Sequence, residues 1–356
     1  MKNNTAFYFL AAFIYLAPAA GAADSESAAF GGNPGAIIKQ VRPGEKIGLL
    51  LDTGFSDPAG LYDTVMINGE MPGALALQVC VKDLAAPGGC VPHSPTKTGL
   101  FKNGRFWAKF SLGGATSLPF RLTAANEGGA APGTFIVYEV EAFMDARPKE
   151  PQEAAGELQV PAPVPFPLVT RAQWGAKPAT AAYTRQKPAL FTIHHTAGKF
   201  TRTLEESKAE VLFDQDYHQN KNGWIDIGYH FLIDPLGNIF EGRPVTAVGA
   251  HVEGRNTGNV GISVMGYYHE PISDQPTEAE LAAFVKIGIY LRGNYGVQPD
   301  AFYAHRELNS TACPGDLLYA KKQGLKDLIF PVPSVTARDG DSSGYLVSLE
   351  ELRSWR

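Results

Sequence analysis

The stretch ARPKEPQEAAGELQVPAPVPFP, from Ala146 to Pro167, concentrates prolines and carries no apolar periodicity, so it fits the interior of neither a helix nor a sheet. It reads as a linker of polyproline II character over 147–166. At 356 residues the chain is long enough for two folded units, and the linker marks where one gives way to the other.

Upstream, residues 24–146 offer short apolar or alternating runs separated by Gly, Pro, Asn and Asp, at 36–41, 47–51, 77–81, 106–110, 120–122 and 135–143. That spacing predicts an all-β unit, a sandwich, standing as a separate domain. Its only histidine is His93, and it holds no catalytic constellation. Downstream, over 167–333, strands alternate with helices, as expected of an α/β layer structure. Runs at 190–194, 229–233 and 260–265 read as strands, while Thr203 with Glu206 and Thr277 with Glu280 open helices by the capping-box rule. Gly296 lies beyond the second helix, a last helix follows Pro314, and 334–356 is left as a C-terminal tail.

At the other end, Lys2 precedes the apolar run Ala6 to Leu16, which Pro18 breaks before the small residues Ala20 to Ala23. This order describes a secretory signal peptide over 1–23, cut near Ala22 or Ala23. A retained anchor or a lipoprotein is the alternative, but the run is short and no cysteine follows it. No run of about 18 apolar residues predicts stable membrane insertion. Export places the mature protein in an oxidising space, secreted, periplasmic or in the cell envelope, where Cys80 and Cys90 can pair across a tight loop; the alternative is two free thiols. Cys313 is then the odd cysteine and needs its own explanation. The formal charge of −5, without a block of Lys or Arg, argues against nucleic acid as a partner.

Seven of the eight histidines follow the linker, and His305 stands eight residues before Cys313, which gives that cysteine a soft-metal context. With Pro314 at a first helical position, Cys313 is expected at or near the N-cap, where amide dipoles favour thiolate. A catalytic zinc site keeps three protein ligands and an open position, so a second histidine is required. The run ending in His194 and His195 offers two, but strand alternation sends them to opposite faces, so only one is a ligand.

The segments TRAQWGAKP (170–178), FTIHHTAG (191–198), WIDIGYHFLID (224–234), GNIFEGRP (237–244), VGAH (248–251), NVGISVMGYY (259–268) and AHRELNSTACPGD (304–316) resemble, in order, the peptidoglycan recognition protein and phage-type zinc amidase family. The resemblance covers roughly 167–330. It implies a mixed central sheet with flanking helices, a groove for the glycan strand and stem peptide of peptidoglycan, and Zn²⁺ held by His194, His305 and Cys313. It further implies hydrolysis of the linear amide between N-acetylmuramic acid and L-alanine, with Tyr229 assisting catalysis. The position two before the cysteine, lysine in phage members and commonly threonine in animal ones, is Thr311, a second catalytic candidate that lacks a cation. His251 and Asn259 are implied to line the groove. His195, His230 and Arg243 are counted with them as substrate-side candidates, although strand alternation turns His195 and His230 away from their neighbours. The pair that discriminates stem peptides is here Pro244-Val245, which matches neither usual form. A non-catalytic peptidoglycan-binding protein and an amidase of soluble muropeptides are the rival readings; the first sits poorly with the cysteine ligand. No HExxH motif is present, and in Gly261-Ile262-Ser263-Val264-Met265-Gly266 the second glycine comes one residue too late for a serine-hydrolase elbow. In this setting the all-β unit is expected to target the wall or to regulate the enzyme.

Overall fold

The computed structural model describes residues 26–30, 35–42, 48–57, 60–128, 131–145 and 161–331. The expected signal peptide, most of the linker and the C-terminal tail lie outside the described residues. Among those described, no helix is long and apolar enough to cross a membrane.

The first unit contains β1 (Glu26–Ser27), β2 (Ile37–Val41), β3 (Gly48–Asp52), β4 (Tyr62–Glu70), β5 (Ala76–Lys82), β6 (Cys90–His93), β7 (Lys97–Leu100), β8 (Arg105–Thr116), β9 (Phe120–Asn126) and β10 (Gly133–Phe143). They form two antiparallel sheets, β1-β10-β4-β8-β7 with β2 also on β10, and β3-β9-β5-β6. Inward-facing Val65, Ile67, Phe106, Phe110, Phe120, Leu122 and Phe135 fill the core between the sheets. Cys80 and Cys90 are joined by a disulfide that ties β5 to β6.

The second unit contains β11 (Leu190–His195), β12 (Phe231–Ile233), β13 (Ile239–Glu241), β14 (Asn259–Val264) and β15 (Phe302–Ala304) in the order β13-β12-β14-β11-β15. β12 pairs antiparallel with β13, whereas β12, β14, β11 and β15 run parallel, so the sheet is mixed. Helices α1 (Arg171–Trp174), α2 (Leu204–Tyr217), α3 (Glu278–Tyr295), α4 (Asp316–Tyr319) and α5 (Lys322–Ile329) accompany it. The buried strands read as continuous apolar runs because helices cover them, and α3 lays Phe284, Ile287 and Leu291 into the same core as Phe191, Ile193 and Ile262. Thr277 and Glu280 form the expected capping box of α3, and Gly296 closes it.

The two units pack against each other. β4, the first half of β8 and much of β10 are buried on both faces, and their outer face carries Met66, Trp107 and Phe143 onto Phe213 and Tyr217 of α2. The Trp107 indole donates to Asp216 Oδ2 at 2.9 Å, Arg105 Nε lies 3.0 Å from Glu210 Oε1, and Lys221 and Lys199 pair with Glu141 and Glu70. The two units are therefore docked through a desolvated, charge-matched seam.

Candidate metal centre

The site forms at the carboxyl ends of the parallel strands, where open α/β sheets commonly bind ligands. His194 is the penultimate residue of β11, and β11 lies beside β15, whose chain runs directly into a short 3₁₀ turn beginning at His305. From there the chain loops back so that the Arg306 amide donates to the Cys313 carbonyl at 3.0 Å. Ligand atoms of His194, His305 and Cys313 thereby come within 4.8 Å of one another. Cys313 Sγ is 3.6 Å from His194 Nδ1, and the two imidazole centroids are 4.6 Å apart.

These atoms suit a tetrahedral zinc ion. Zn–N and Zn–S bonds of about 2.0 and 2.3 Å at tetrahedral angles put nitrogen and sulfur about 3.5 Å apart. Burial drives His194 well below the ordinary histidine range, helped by neighbouring His305 and His251, so its ring is neutral and able to coordinate. Burial also pushes the Cys313 thiol up to about 12, opposed chiefly by the His195 amide, which lies 3.4 Å from the sulfur. Without a cation the sulfur keeps its proton; a divalent ion at this spot would displace it.

Cys313 lies near the N-cap of the helix that follows Pro314 and not at it. Helix α4 begins at Asp316 with Gly315 as its N-cap, and a cis Cys313-Pro314 bond precedes it. Cys313 thus lies before the helix rather than on it, and the dipoles of a single helical turn give it little.

Tyr229 was expected on a strand, but β12 starts only at Phe231. It stands in the preceding loop, its carbonyl accepting from the Arg243 amide at 2.9 Å and its ring 5.2 Å from that of His194. Burial raises its hydroxyl well above the tyrosine range. Thr311 is exposed, and its hydroxyl accepts from the Cys313 amide at 3.2 Å, holding the cysteine's turn.

The substrate-side candidates fall elsewhere. Arg243 is buried and donates to the carbonyls of Ile227, Val248 and Asp226 at 2.6, 3.0 and 3.2 Å, so it braces the loop that carries Tyr229 and reaches no surface. His230 is also buried; its Nδ1 accepts from the Gly261 amide at 2.9 Å and its Nε2 faces the Ala247 carbonyl at 2.8 Å. The Asn259 side chain accepts from Thr192 and donates to the Arg255 carbonyl. His251 sits behind His194, and His195 turns to the opposite face toward Tyr267, Tyr268 and His269. Each of these five is at most 7% exposed.

Sequence reasoning gave no site role to Ser263. It sits opposite His194 in the β11–β14 register, fully buried, and its hydroxyl faces Tyr229, where a hydrogen bond opposes the upward push of burial on the tyrosine. A serine inside the apolar strand at 259–264 was the available signal.

The profile of the N-acetylmuramoyl-L-alanine amidase family matches residues 184–316. Peptidoglycan-recognition protein SC2 of Drosophila melanogaster is 34% identical over 151 residues, covering 42% of this chain and 80% of the relative. This chain belongs to the peptidoglycan recognition protein and type 2 amidase family. Peptidoglycan recognition protein 1 of Mus musculus is 31% identical over 162 residues, 43% of this chain and 84% of the mouse protein. Among solved structures, Drosophila peptidoglycan recognition protein SD is 31% identical and covers 44% of this chain and 93% of its own, with a TM-score of 0.42. The matched family segment contains all three clustered side chains, His194, His305 and Cys313.

Proposed function

We propose that this protein is an exported amidase that hydrolyses the bond between N-acetylmuramic acid and L-alanine in peptidoglycan, with His194, His305 and Cys313 holding Zn²⁺. The observation that carries this reading is the convergence of two imidazoles and one sulfur within 4.8 Å at the carboxyl edge of the sheet. Bound there by two neutral imidazoles and a thiolate, zinc supplies a net positive Lewis acid that polarises a carbonyl and acidifies water.

The chain's own groups supply the rest. Tyr229, kept protonated by burial, donates a hydrogen bond to the amide oxygen as negative charge builds on it. Its loop is braced by Arg243, so the donor is preorganised before substrate arrives. The His195 amide beside Cys313 Sγ stabilises sulfur as thiolate, and Thr311 fixes the turn that presents it. The partners are the glycan strand and stem peptide, met outside the cytoplasm; residues 1–23 serve as the export signal, 24–146 form the all-β domain and 167–333 the amidase domain. Members that only bind peptidoglycan form the competing class, and a complete His, His, Cys set favours hydrolysis over binding alone.

Incubating the protein with a synthetic muramyl dipeptide tests this. A new L-alanine α-amino group is expected, abolished by chelation and restored by added zinc; a metal-stripped protein that cleaves at the full rate would overturn the reading.

A further inference from the structure

We propose that His251 is a positioning residue that selects the zinc-competent tautomer of His194, taking its own orientation from the backbone carbonyl of Asn259. The inference rests on the zinc reading above and moves His251 and Asn259 from the groove to a place behind the metal ligand.

The protons can be counted along one line of atoms. Asn259 O is an acceptor only, and His251 Nε2 lies 3.1 Å from it, so the His251 proton resides on Nε2. His251 Nδ1 is then a bare lone pair, and it faces His194 Nε2 at 3.0 Å. Two lone pairs at that distance in a buried site are unfavourable, so His194 carries its proton on Nε2. Its Nδ1 is left bare, and this is the nitrogen 3.6 Å from Cys313 Sγ. Donating the outer ring N–H to a fixed acceptor is what orients a metal-binding histidine and raises its basicity.

The fold makes room for this ring and little else. A Cβ on Gly249 would meet His251 Cδ2 at 2.6 Å, and one on Gly261 would meet its Cγ at 2.6 Å, so both glycines form the walls of the slot. The His251 amide is anchored to Asn256 Oδ1 at 2.8 Å, and the Asn259 side chain to Thr192 and Arg255, which fixes both ends of the relay. At 7% exposure, His251 has little water to compete for its nitrogens. A residue that only bound the glycan or stem peptide would need none of this enclosure.

The test compares His251→Phe, which keeps an aromatic ring but removes the acceptor, with His251→Asn, which returns an oxygen near the position of Nδ1. Zinc affinity of the purified full chain is measured by competition with a chromophoric chelator, alongside melting of the metal-free proteins. His251→Phe should weaken zinc binding roughly 10- to 100-fold with little change in metal-free melting, and His251→Asn should recover most of the loss. Unchanged affinity in His251→Phe, or a folded His251→Asn as weak as the Phe variant, would overturn the proposal. Long-range ¹H–¹⁵N spectra of histidine-labelled, metal-free wild type decide the matter even if neither variant folds: a proton on His194 Nε2 is expected, and a proton on Nδ1 overturns the assignment. Failure of wild type to take up zinc would overturn the metal reading itself, while those spectra would still rule on the tautomer.

Discussion

Arg105→Met removes the cation at the centre of the seam between the two units. The guanidinium is 2% exposed and Glu210 is fully buried, with Nε and Oε1 3.0 Å apart. The same guanidinium donates to the Gly69 carbonyl at 3.1 Å and lies 3.9 Å from the Phe213 ring centroid. Removing one member of a buried pair leaves the other uncompensated and costs about 3–5 kcal/mol. Burial already raises the Glu210 carboxyl, and Arg105 is the largest influence holding it down. Glu210→Gln in the same chain should therefore recover much of the loss, because position 210 then no longer holds an uncompensated buried charge. Urea unfolding followed by tryptophan fluorescence reads this directly, since Trp107 lies in the seam. An Arg105→Met variant within about 1 kcal/mol of wild type would refute the view that this seam holds the units together. So would a double variant no more stable than the single one.

Three further outcomes follow from the same structure. Gly261→Ala places a methyl group 2.6 Å from the His251 ring and should lower both stability and zinc affinity, the latter by roughly tenfold or more, measurable by melting and chelator competition. Burial lifts Glu280 from 4.5 to about 7, partly offset by hydrogen bonds from Thr277 and Tyr268. A carboxyl whose folded pKa is raised binds its proton more tightly in the native state, so its contribution to stability is present at low pH and fades as pH rises from about 4.5 to 7. Glu280→Gln keeps the cap and removes the titration, so up to about 3 kcal/mol of pH dependence in that window should vanish from urea titrations; an unchanged profile would count against the assignment. Reducing Cys80–Cys90, which are separated by 10 residues, should cost about 3 kcal/mol of stability in the chain-entropy picture and leave zinc affinity unaltered, as checked by unfolding with and without reductant.

Much of the architecture could be read from the residues because its signals are local. Thr277, Glu280 and Gly296 bracket α3 by cap chemistry, and the apolar run ending in His194 and His195 is a strand buried beneath helices. The seam was hidden because its signals are not local. α2 shows no apolar stripe: Glu210 and Asp216 are buried, and Asn103, Arg105 and Trp107, about 100 positions earlier, reach them from the first unit. β4 escaped notice for the same reason, its alternation blurred by burial on both faces. The cluster of His194, His305 and Cys313 was legible through spacing and resemblance. The relay behind them was not, because it depends on which nitrogen faces which carbonyl. Cys313 misled for a related reason: the proline after it suggested a helix start, but the helix begins two residues later at Asp316, behind Gly315.

The most direct measurement pairs metal analysis with mass spectrometry of purified sacculi treated with wild type or Cys313→Ser. One zinc per wild-type chain and soluble stem peptides bearing a free L-alanine amino terminus are expected, with both lost in Cys313→Ser. Stem-peptide release by Cys313→Ser at the wild-type rate would contradict the zinc reading.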